Sequence, residues 1–299
     1  MKLFLGVDGG QSSTAALIGD ETGRVLGRGH SGSCKDAASI QSALQQAGAL
    51  GARFEAACFG LSGGPADQEA LARELVIAER YLFTHDAQIA LTGATAGEPG
   101  IITIAGTGSI AFGRNPEGRT ARTGGWGYLF GDEGGGFDIV RQALRAVLRS
   151  EEGWGPPTAL RAALLDATGA RSAHDLMHDS YTTEFSRERF ASFAKLVDDV
   201  AQAGDQVARD ILTAAAQSLA IFTAAVRAQL FQEEEPVQIS YAGGVFKSAL
   251  VLERFRIIVE LEDGTRVVPP RYGPPAGALI EAYRLAGIEP SLSGIQGET

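Results

Sequence analysis

The chain has 299 residues, 44% of them hydrophobic and 21% charged, with 39 glycines and 11 prolines. This composition is typical of a soluble globular protein and excludes disordered, collagen-like and coiled-coil chains, and the length allows about two domains. The formal net charge of −10, without a Lys/Arg run, disfavours nucleic acid or an anionic membrane as a partner.

The apolar segments and the cysteines predict a cytoplasmic protein. No apolar run approaches the ~20 residues that span a bilayer, and the apolar start, Leu3–Val7, is too short for a signal peptide. Cys34 and Cys58 could form at most one disulfide. We expect both to be free buried thiols, because a reducing cytosol disfavours the bond.

The first hundred residues predict an α/β arrangement in the order β-β-β-α-β-α-β-α. Short apolar runs between turn residues indicate strands, and apolar residues at helical spacing indicate helices. The predicted strands are Leu3–Val7, Ser13–Gly19, Arg24–Gly29, Ala56–Leu61 and Tyr81–Thr84, and the predicted helices are Ala37–Ala49, Pro65–Glu79 and Ala87–Ala96.

The opening of three strands then occurs a second time, after Pro99. The later elements are predicted as the strands Ile101–Ala105, Ile110–Arg114, Thr120–Gly124, Val237–Ala242 and Arg266–Val268, and as helices over Phe137–Leu148, Phe190–Phe231, Lys247–Arg254 and Ala276–Ala286. We interpret the repeated order as a duplicated fold with a cleft between its halves. The expected domains are 1–99 together with 278–299, and 100–277.

The first candidate site is the turn after the first strand. Paired glycines let a backbone approach a ligand closely, and the residues after them offer N–H and hydroxyl groups to an anion. The phosphate-contacting candidates are Gly9, Gly10, Gln11, Ser12, Ser13 and Thr14. Asp8 offers the oxygen ligand that Mg²⁺ prefers. A plain β-hairpin with a turn aspartate is the structural alternative.

Two further glycine turns follow predicted buried strands. They contain Gly106, Thr107 and Gly108 in one case, and Gly243 and Gly244 in the other. The first has neither the Lys of a Walker A motif nor the helix of a dinucleotide fingerprint. The second is bare backbone against which a flat ring could lie. Each of these turns alone is also consistent with a plain tight turn. However, a glycine hairpin begins each half of the chain, after Leu3–Val7 and after Ile101–Ala105, and this repetition favours two phosphate-binding turns.

The most specific segment is Gly124–Gly136, which holds seven glycines around one Trp, one Asp and one Glu. Such a segment is entropically costly to order, so a purely structural explanation is inadequate. It precedes the predicted helix Phe137–Leu148, whose N-terminus we expect to favour anions through unpaired N–H groups.

Together these motifs resemble the superfamily that unites sugar and acetate kinases, actin and the heat-shock chaperone ATPases. Within it, the chain from Gly6 to Ala286 is similar to the BadF/BadG/BcrA/BcrD ATPase family and to its N-acetylglucosamine kinase branch. Asp8–Gly10 resembles the first phosphate loop, Gly106–Ser109 the second, and Gly243–Val245 the adenosine motif. The implied fold is α/β, with two actin-like (ribonuclease H-like) domains of duplicated βββαβαβα order around an interdomain cleft.

The resemblance implies ATP and Mg²⁺ as cofactors and an amino sugar as the acceptor of the γ-phosphate, at O6 by analogy. Thr84–Ala87 matches a strand-end Thr-x-Asp-Ala pattern, which would make Asp86 the catalytic base. From the residues alone, Asp86 is also a candidate helix N-cap. The implied sugar contacts are Thr107, Gly125, Trp126 and Asp132.

The match has one departure. The loop His30–Asp36 lacks the Asn with which N-acetylglucosamine kinases usually hold the sugar. The resemblance therefore does not fix the acceptor sugar, and glucosamine, N-acetylmuramic acid and another hexose are the alternatives. The alternative functions are an ATPase activase and a non-catalytic sugar or nucleotide sensor. An activase needs iron–sulfur ligands after the second phosphate turn, whereas both cysteines precede it. A homodimer also stays open, because dimers are common among relatives.

Overall fold

The structure is a computed structural model that describes residues 1–10, 13–34, 36–62, 66–182, 185–289 and 291–295. The chain forms two compact units, Met1–Ile102 with Pro269–Thr299, and Thr103–Val268. The sequence predicts the first change of unit after Pro99, close to the observed position after Ile102. It places the second change after Gly277, clearly later than the observed position after Val268.

The first unit is built on a five-stranded sheet in the order β3-β2-β1-β5-β7. Its elements are β1 (Leu3–Gly9), β2 (Thr14–Asp20), β3 (Val25–Ser31), α1 (Ala37–Ala47), β4 (Arg53–Phe54), β5 (Ala56–Leu61), α2 (Ala66–Leu75), β6 (Ile77–Ala78), β7 (Tyr81–Thr84) and α3 (Asp86–Thr95). Strands β1, β2 and β3 are antiparallel neighbours, while β1, β5 and β7 run parallel. The carboxyl ends of three parallel strands therefore lie at one edge of this sheet.

Helices cover both faces of this sheet, and glycines allow the close approaches. On one face, a Cβ at Gly29 would overlap the Ala43 carbonyl oxygen of α1. On the other, a Cβ at Gly6 would overlap the backbone of Leu279, in the C-terminal helix of the unit. Along β1 the side chains alternate between the two cores, so that Leu5 packs with α1 and Phe4 with the C-terminal helix.

The second unit repeats the arrangement with added helices. Its elements are β8 (Gly100–Ala105), β9 (Ser109–Arg114), β10 (Thr120–Gly124), α4 (Gly136–Glu151), α5 (Leu160–Thr168), α6 (Ala173–Asp179), α7 (Arg187–Ser192), α8 (Ala194–Gln202), α9 (Gln206–Leu230), β11 (Val237–Ala242), α10 (Ala249–Val259) and β12 (Thr265–Val267), after which α11 (Pro274–Leu285) belongs to the first unit. The sheet order is β10-β9-β8-β11-β12, which is the order of the first sheet. This repetition confirms the predicted duplicated α/β fold.

Some elements differ from the sequence prediction. The helix predicted over Pro65–Glu79 ends at Leu75, because the chain after it pairs as β6 with β4; Pro65 itself lies outside the described residues. The single helical stretch predicted over Phe190–Phe231 is wrong, since it comprises the end of α7, then α8 and α9. Gly204 has a φ of 105°, which ends one helix, and Asp205 caps the next. Helices α5 and α6 were not predicted.

Helix α9 is long and apolar enough, by length and composition alone, to cross a membrane. In the structure it is a core helix of the second unit instead. Its side chains Leu212 and Leu219 are buried, and the Thr223 hydroxyl lies 2.6 Å from that of Thr103 in β8. Buried Arg227 pairs with Glu262 at 2.6 Å, so the helix also holds a charge within the fold.

Candidate active site

The first glycine turn joins β1 to β2 in the first unit. Gly10 N–H donates to the Ser13 carbonyl at 2.8 Å, which closes the turn. A Cβ at Gly9 would lie 2.6 Å from Leu61 Cδ2 and 2.9 Å from Cys34 Cβ, so a larger residue here would have to displace these side chains. The Thr14 side chain is fully buried and donates to the Gly32 carbonyl at 2.9 Å. Its hydroxyl is therefore engaged within the fold.

Two residues of this predicted turn, Gln11 and Ser12, lie outside the described residues. The predicted phosphate contacts that the structure does describe here are Gly9, Gly10, Ser13 and Thr14. They flank the turn on both sides, at the end of β1 and the start of β2.

Asp8 and Asp86 belong to the carboxyl edge of the parallel strands. Asp8 is paired in register with Gly60 of β5, and Gly60 with Thr84 of β7. Asp86 follows Thr84 by two residues, so both carboxylates belong to the same edge of one sheet. This is the edge at which ligands bind in open α/β sheets.

The Asp86 carboxylate is held by two hydrogen bonds. Its Oδ2 accepts from Ser62 Oγ at 2.7 Å, and its Oδ1 accepts from the Ala87 N–H at 2.8 Å. Ser62 follows β5 directly, and its own N–H donates to the Gly9 carbonyl at 2.8 Å. Ser62 belongs to no sequence motif, and strand adjacency was the one signal that could have found it.

The N-cap interpretation of Asp86 is wrong. Helix α3 is capped by His85, whose Nδ1 accepts from the Gln88 N–H at 3.2 Å, and Asp86 is the first helical residue. An acidic residue in the first turn is favourable near the positive end of the helix dipole. The carboxylate of Asp86 is partly exposed, which leaves it accessible to a ligand.

The second glycine turn lies between β8 and β9 in the second unit, and it closes when Gly106 N–H donates to the Gly108 carbonyl at 2.9 Å. Two carbonyls of this turn accept hydrogen bonds from the first residues of α4. The Gly136 N–H donates to the Gly106 carbonyl at 2.8 Å, and the Phe137 N–H donates to the Thr107 carbonyl at 3.0 Å. The prediction that unpaired N–H groups at this helix start favour an anion is therefore wrong for these two donors. The Thr107 hydroxyl itself has no hydrogen-bond partner among the described residues.

The third glycine turn packs against the second. Gly243 has a φ of 102°, and a Cβ there would overlap the Ala105 carbonyl. Both the backbone conformation and the close approach require glycine at this position. Gly244 opens a short 3-10 turn, and a Cβ there would meet open space. Both turns thus follow neighbouring strands, β8 and β11, of one sheet.

The glycine-rich segment after β10 is held in unusual backbone conformations. Gly124, Gly125 and Gly127 have φ values of 83°, 72° and 80°. Gly125 N–H donates to the Ser109 carbonyl at 2.9 Å, which ties the segment to the second glycine turn. The Trp126 side chain is 66% exposed, with the Arg122 guanidinium 5.0 Å from its ring centroid.

Asp132 is the strained and buried residue of this segment. It has a φ of 65°, although it is not glycine, and it is 3% exposed. Its Oδ2 accepts from Arg187 Nη2 at 2.9 Å. A Cβ at Gly108 would overlap the Asp132 carboxylate, so the acid packs directly against the second turn. A strained backbone of this kind is found most often at functional sites. Arg187 carries no sequence motif and was not predicted.

The donor chemistry around the first turn fits Mg²⁺. No group of three His, Cys, Asp or Glu residues that could hold a metal occurs in the described part of the chain. Mg²⁺ is commonly held by one or two carboxylates together with substrate phosphates and waters. A single partly exposed carboxylate, that of Asp8, beside a glycine turn agrees with that mode of binding.

Both cysteines are buried free thiols in the first unit, as expected. Cys34 Sγ lies 3.2 Å from the Gly9 carbonyl, behind the first turn. Burial raises the pKa of the Cys58 thiol well above its ordinary value, and the charge of Glu281 adds to this shift. Iron–sulfur ligation requires thiolates, and neither thiol is presented for it.

Comparisons with known proteins identify the family to which this chain belongs. The family model of the BadF/BadG/BcrA/BcrD ATPases matches residues 5–282. An N-acetylmuramic acid/N-acetylglucosamine kinase of Clostridium acetobutylicum is 33% identical over 301 residues, covering 94% of this chain and 98% of that protein. An N-acetyl-D-glucosamine kinase of Dictyostelium discoideum is 28% identical over 312 residues, with coverage of 94% and 98%.

A solved structure from Chromobacterium violaceum, provisionally assigned as an N-acetylglucosamine kinase, superposes with a TM-score of 0.75. It is 26% identical and covers 94% of this chain and 98% of its own. The sequence resemblance runs from Gly6 to Ala286, and the family match covers nearly the same residues. The chain therefore belongs to the BadF/BadG/BcrA/BcrD ATPase family.

Proposed function

We propose that this protein is an ATP-dependent sugar kinase that transfers the γ-phosphate to O6 of an amino sugar such as N-acetylglucosamine or glucosamine. The observation that carries the proposal is the Asp86 carboxylate at the carboxyl edge of the parallel strands, oriented by Ser62 at 2.7 Å. The Clostridium acetobutylicum relative, at 33% identity over 94% of the chain, supports the same reaction class.

Asp86 acts as the general base in this proposal. Its carboxylate accepts the proton of the sugar hydroxyl as the hydroxyl oxygen attacks the γ-phosphorus and the bond to the leaving ADP oxygen breaks. Ser62 holds one carboxylate oxygen, which restricts the rotation of the base. Orientation of this kind matters because little covalent work falls to the protein in phosphoryl transfer.

The glycine turns bind ATP in this proposal. Gly9, Gly10 and Ser13, with the neighbouring Gln11 and Ser12, contact phosphates on the first unit, where buried Thr14 supports the turn through its bond to Gly32. On the second unit, Gly106, Thr107 and Gly108 contact phosphates. Gly243 and Gly244 lie against the adenosine, where open space above Gly244 supports the assignment. Asp8 would hold Mg²⁺, which neutralises phosphate charge when it is bound.

The sugar contacts proposed on the second unit are Thr107, Gly125, Trp126 and Asp132. Asp132 is an acceptor for sugar hydroxyls, and the exposed Trp126 ring offers an apolar wall. A site with buried polar groups rejects a sugar that leaves them unpaired, so these residues would decide which amino sugar is accepted.

A single assay separates the kinase from the two alternatives. ADP release is measured with Mg·ATP alone and with a panel of glucosamine, N-acetylglucosamine, N-acetylmuramic acid and glucose. A kinase releases ADP when a sugar is added and forms a sugar 6-phosphate, an activase releases ADP without sugar, and a sensor releases none. We expect the first result, and either of the others would refute the proposal.

We further propose a cytoplasmic enzyme whose partners are small molecules, with a homodimer as an open alternative. Two buried free thiols support a reducing compartment. The net charge of −10 argues against a nucleic-acid partner.

A further inference from the structure

The ion pair between Asp132 and Arg187 is the most deeply buried charge pair near the proposed sugar contacts. The two side chains are 5% and 29% exposed, and Arg187 Nη2 lies 2.9 Å from Asp132 Oδ2. A buried carboxylate without a partner is costly, and a guanidinium at this distance offsets that cost.

The Arg187 guanidinium is fixed by few other contacts. It lies 5.3 Å from the centroid of the Tyr128 ring, and its buried Nε has no hydrogen-bond partner in the described part of the chain. A guanidinium that served to tie α7 to the fold would be expected to use more of its five donors. The geometry instead directs the group to one carboxylate oxygen.

Asp132 has one oxygen that the fold does not use. Its Oδ2 accepts from Arg187, whereas Oδ1 accepts no hydrogen bond from the residues that the structure describes. The left-handed backbone at Asp132 and its contact with Gly108 restrict where this second oxygen can lie. One oxygen is thus held by protein and the other is left for a donor outside it.

We propose that Arg187 is a positioning residue for sugar recognition, which fixes the orientation of the Asp132 carboxylate so that its Oδ1 accepts from a sugar hydroxyl. This inference rests on the proposed sugar-kinase function. Arg187 acts through Asp132 and contacts no reacting atom, so its loss weakens sugar binding and leaves ATP binding unchanged.

The test is a double-mutant cycle in steady-state kinetics on the full chain. The variants are Arg187→Gln, Asp132→Asn and the double variant, with Arg187→Lys as the conservative rescue. Arg189→Gln is the matched control, because Arg189 is an exposed arginine on the same helix. Circular dichroism and thermal unfolding of each variant establish that it is folded.

We expect Arg187→Gln to lower kcat/KM for the sugar by about 10- to 100-fold, mainly through KM, with KM for ATP within about twofold. Arg187→Lys recovers part of the loss and Arg189→Gln shows none. In the Asp132→Asn background, Arg187→Gln causes less than about a threefold further loss, because the residue acts through the missing carboxylate.

Other results would overturn the inference. Equal effects of Arg187→Gln in both backgrounds, or an equal loss for ATP and sugar, would mean that Arg187 only supports the fold. If Arg187→Gln does not fold, unimpaired sugar kinetics of a folded Arg187→Met variant, which also removes the charge, would overturn it as well. A wild-type chain that phosphorylates no sugar of the panel would refute the proposed function itself, and the two failures are thereby distinguished.

Discussion

The hydroxyl of Ser62 donates to the Asp86 carboxylate at 2.7 Å, across 24 residues of sequence. The two residues follow β5 and β7, which are parallel neighbours, so their meeting is a consequence of the sheet order. This contact turns a carboxylate at a helix start into an oriented group. The proposed role of Asp86 as the base can therefore also be tested by substituting Ser62.

Asp86→Asn is expected to abolish phosphoryl transfer to the sugar, because an amide cannot take the hydroxyl proton. ATP affinity should stay within a few-fold, since the glycine turns are untouched. The measurement is sugar-dependent ADP release together with ATP binding by calorimetry. Ser62→Ala is the contrasting variant: it keeps the base but frees its rotation, so kcat should fall only about 3- to 10-fold. Near-wild-type turnover of Asp86→Asn would exclude Asp86 as the base.

Asp132→Ala is expected to raise KM for the sugar strongly, by about tenfold or more, with little change in KM for ATP. The substitution removes an acceptor at the proposed sugar contact and leaves Arg187 without its counter-charge. Asp132→Asn keeps the shape and serves as the milder variant if the alanine variant is unstable. An unchanged sugar KM in both folded variants would remove Asp132 from the sugar site.

Thr107→Val is expected to lower kcat/KM for Mg·ATP by about tenfold, because it deletes a hydroxyl that has no partner among the described residues. The side-chain shape is retained, so the fold should be unaffected. Thr107→Ser is the matched control, since it keeps the hydroxyl, and its kinetics should resemble those of the wild type. Unaltered kinetics of the valine variant would show that the Thr107 hydroxyl does not contribute to the use of Mg·ATP.

Gly243→Ala and Gly244→Ala form a matched pair on neighbouring residues. At Gly243 the φ of 102° and the overlap with Ala105 oppose a side chain, so we expect a loss of about 1–3 kcal/mol in the free energy of unfolding and a raised KM for ATP. At Gly244 a Cβ meets open space, so the stability should change by less than about 0.5 kcal/mol. Urea unfolding measures both, and equal losses would contradict the steric difference between the two positions.

Asp205→Asn tests the cap of α9 through its pH dependence. Partial burial by itself would raise the pKa of Asp205. Hydrogen bonds from the Ala208 and Ala159 N–H groups and from the Thr158 hydroxyl outweigh this effect and hold the pKa below its ordinary value. A lowered carboxyl pKa contributes stability above the ordinary value of 3.8, and this is lost as pH falls through the folded-state pKa. We therefore expect wild type to be more stable than Asp205→Asn at neutral pH, and the difference to shrink in acid.

Urea unfolding at neutral pH and again below the ordinary aspartate value of 3.8 measures this difference. The neutral-pH difference should be no more than about 1 kcal/mol, because asparagine is itself a good N-cap and the site is largely exposed. A difference that stays constant across this range would show that the charge of Asp205 does not contribute.

The sequence by itself determined the strands and the glycine turns. Each main strand carries an apolar run with turn residues at its ends, and this local pattern predicted Ala56–Leu61, Tyr81–Thr84, Thr120–Gly124 and Val237–Ala242 with the bounds that the structure has. Local patterns also predicted the repeated order of elements, since hydrophobic periodicity and glycine placement are properties of neighbouring residues.

Contacts between distant residues needed the tertiary structure. Ser62 meets Asp86, and Arg187 meets Asp132, only after strands and helices have packed, and neither partner belongs to a motif. The same reason explains why the helix start of α4 is filled by carbonyls of the second turn, and why the helix predicted through Glu79 stops at Leu75. Hydrophobic periodicity decides which segments fold as strands or helices, whereas the packing of those segments decides which side chains meet.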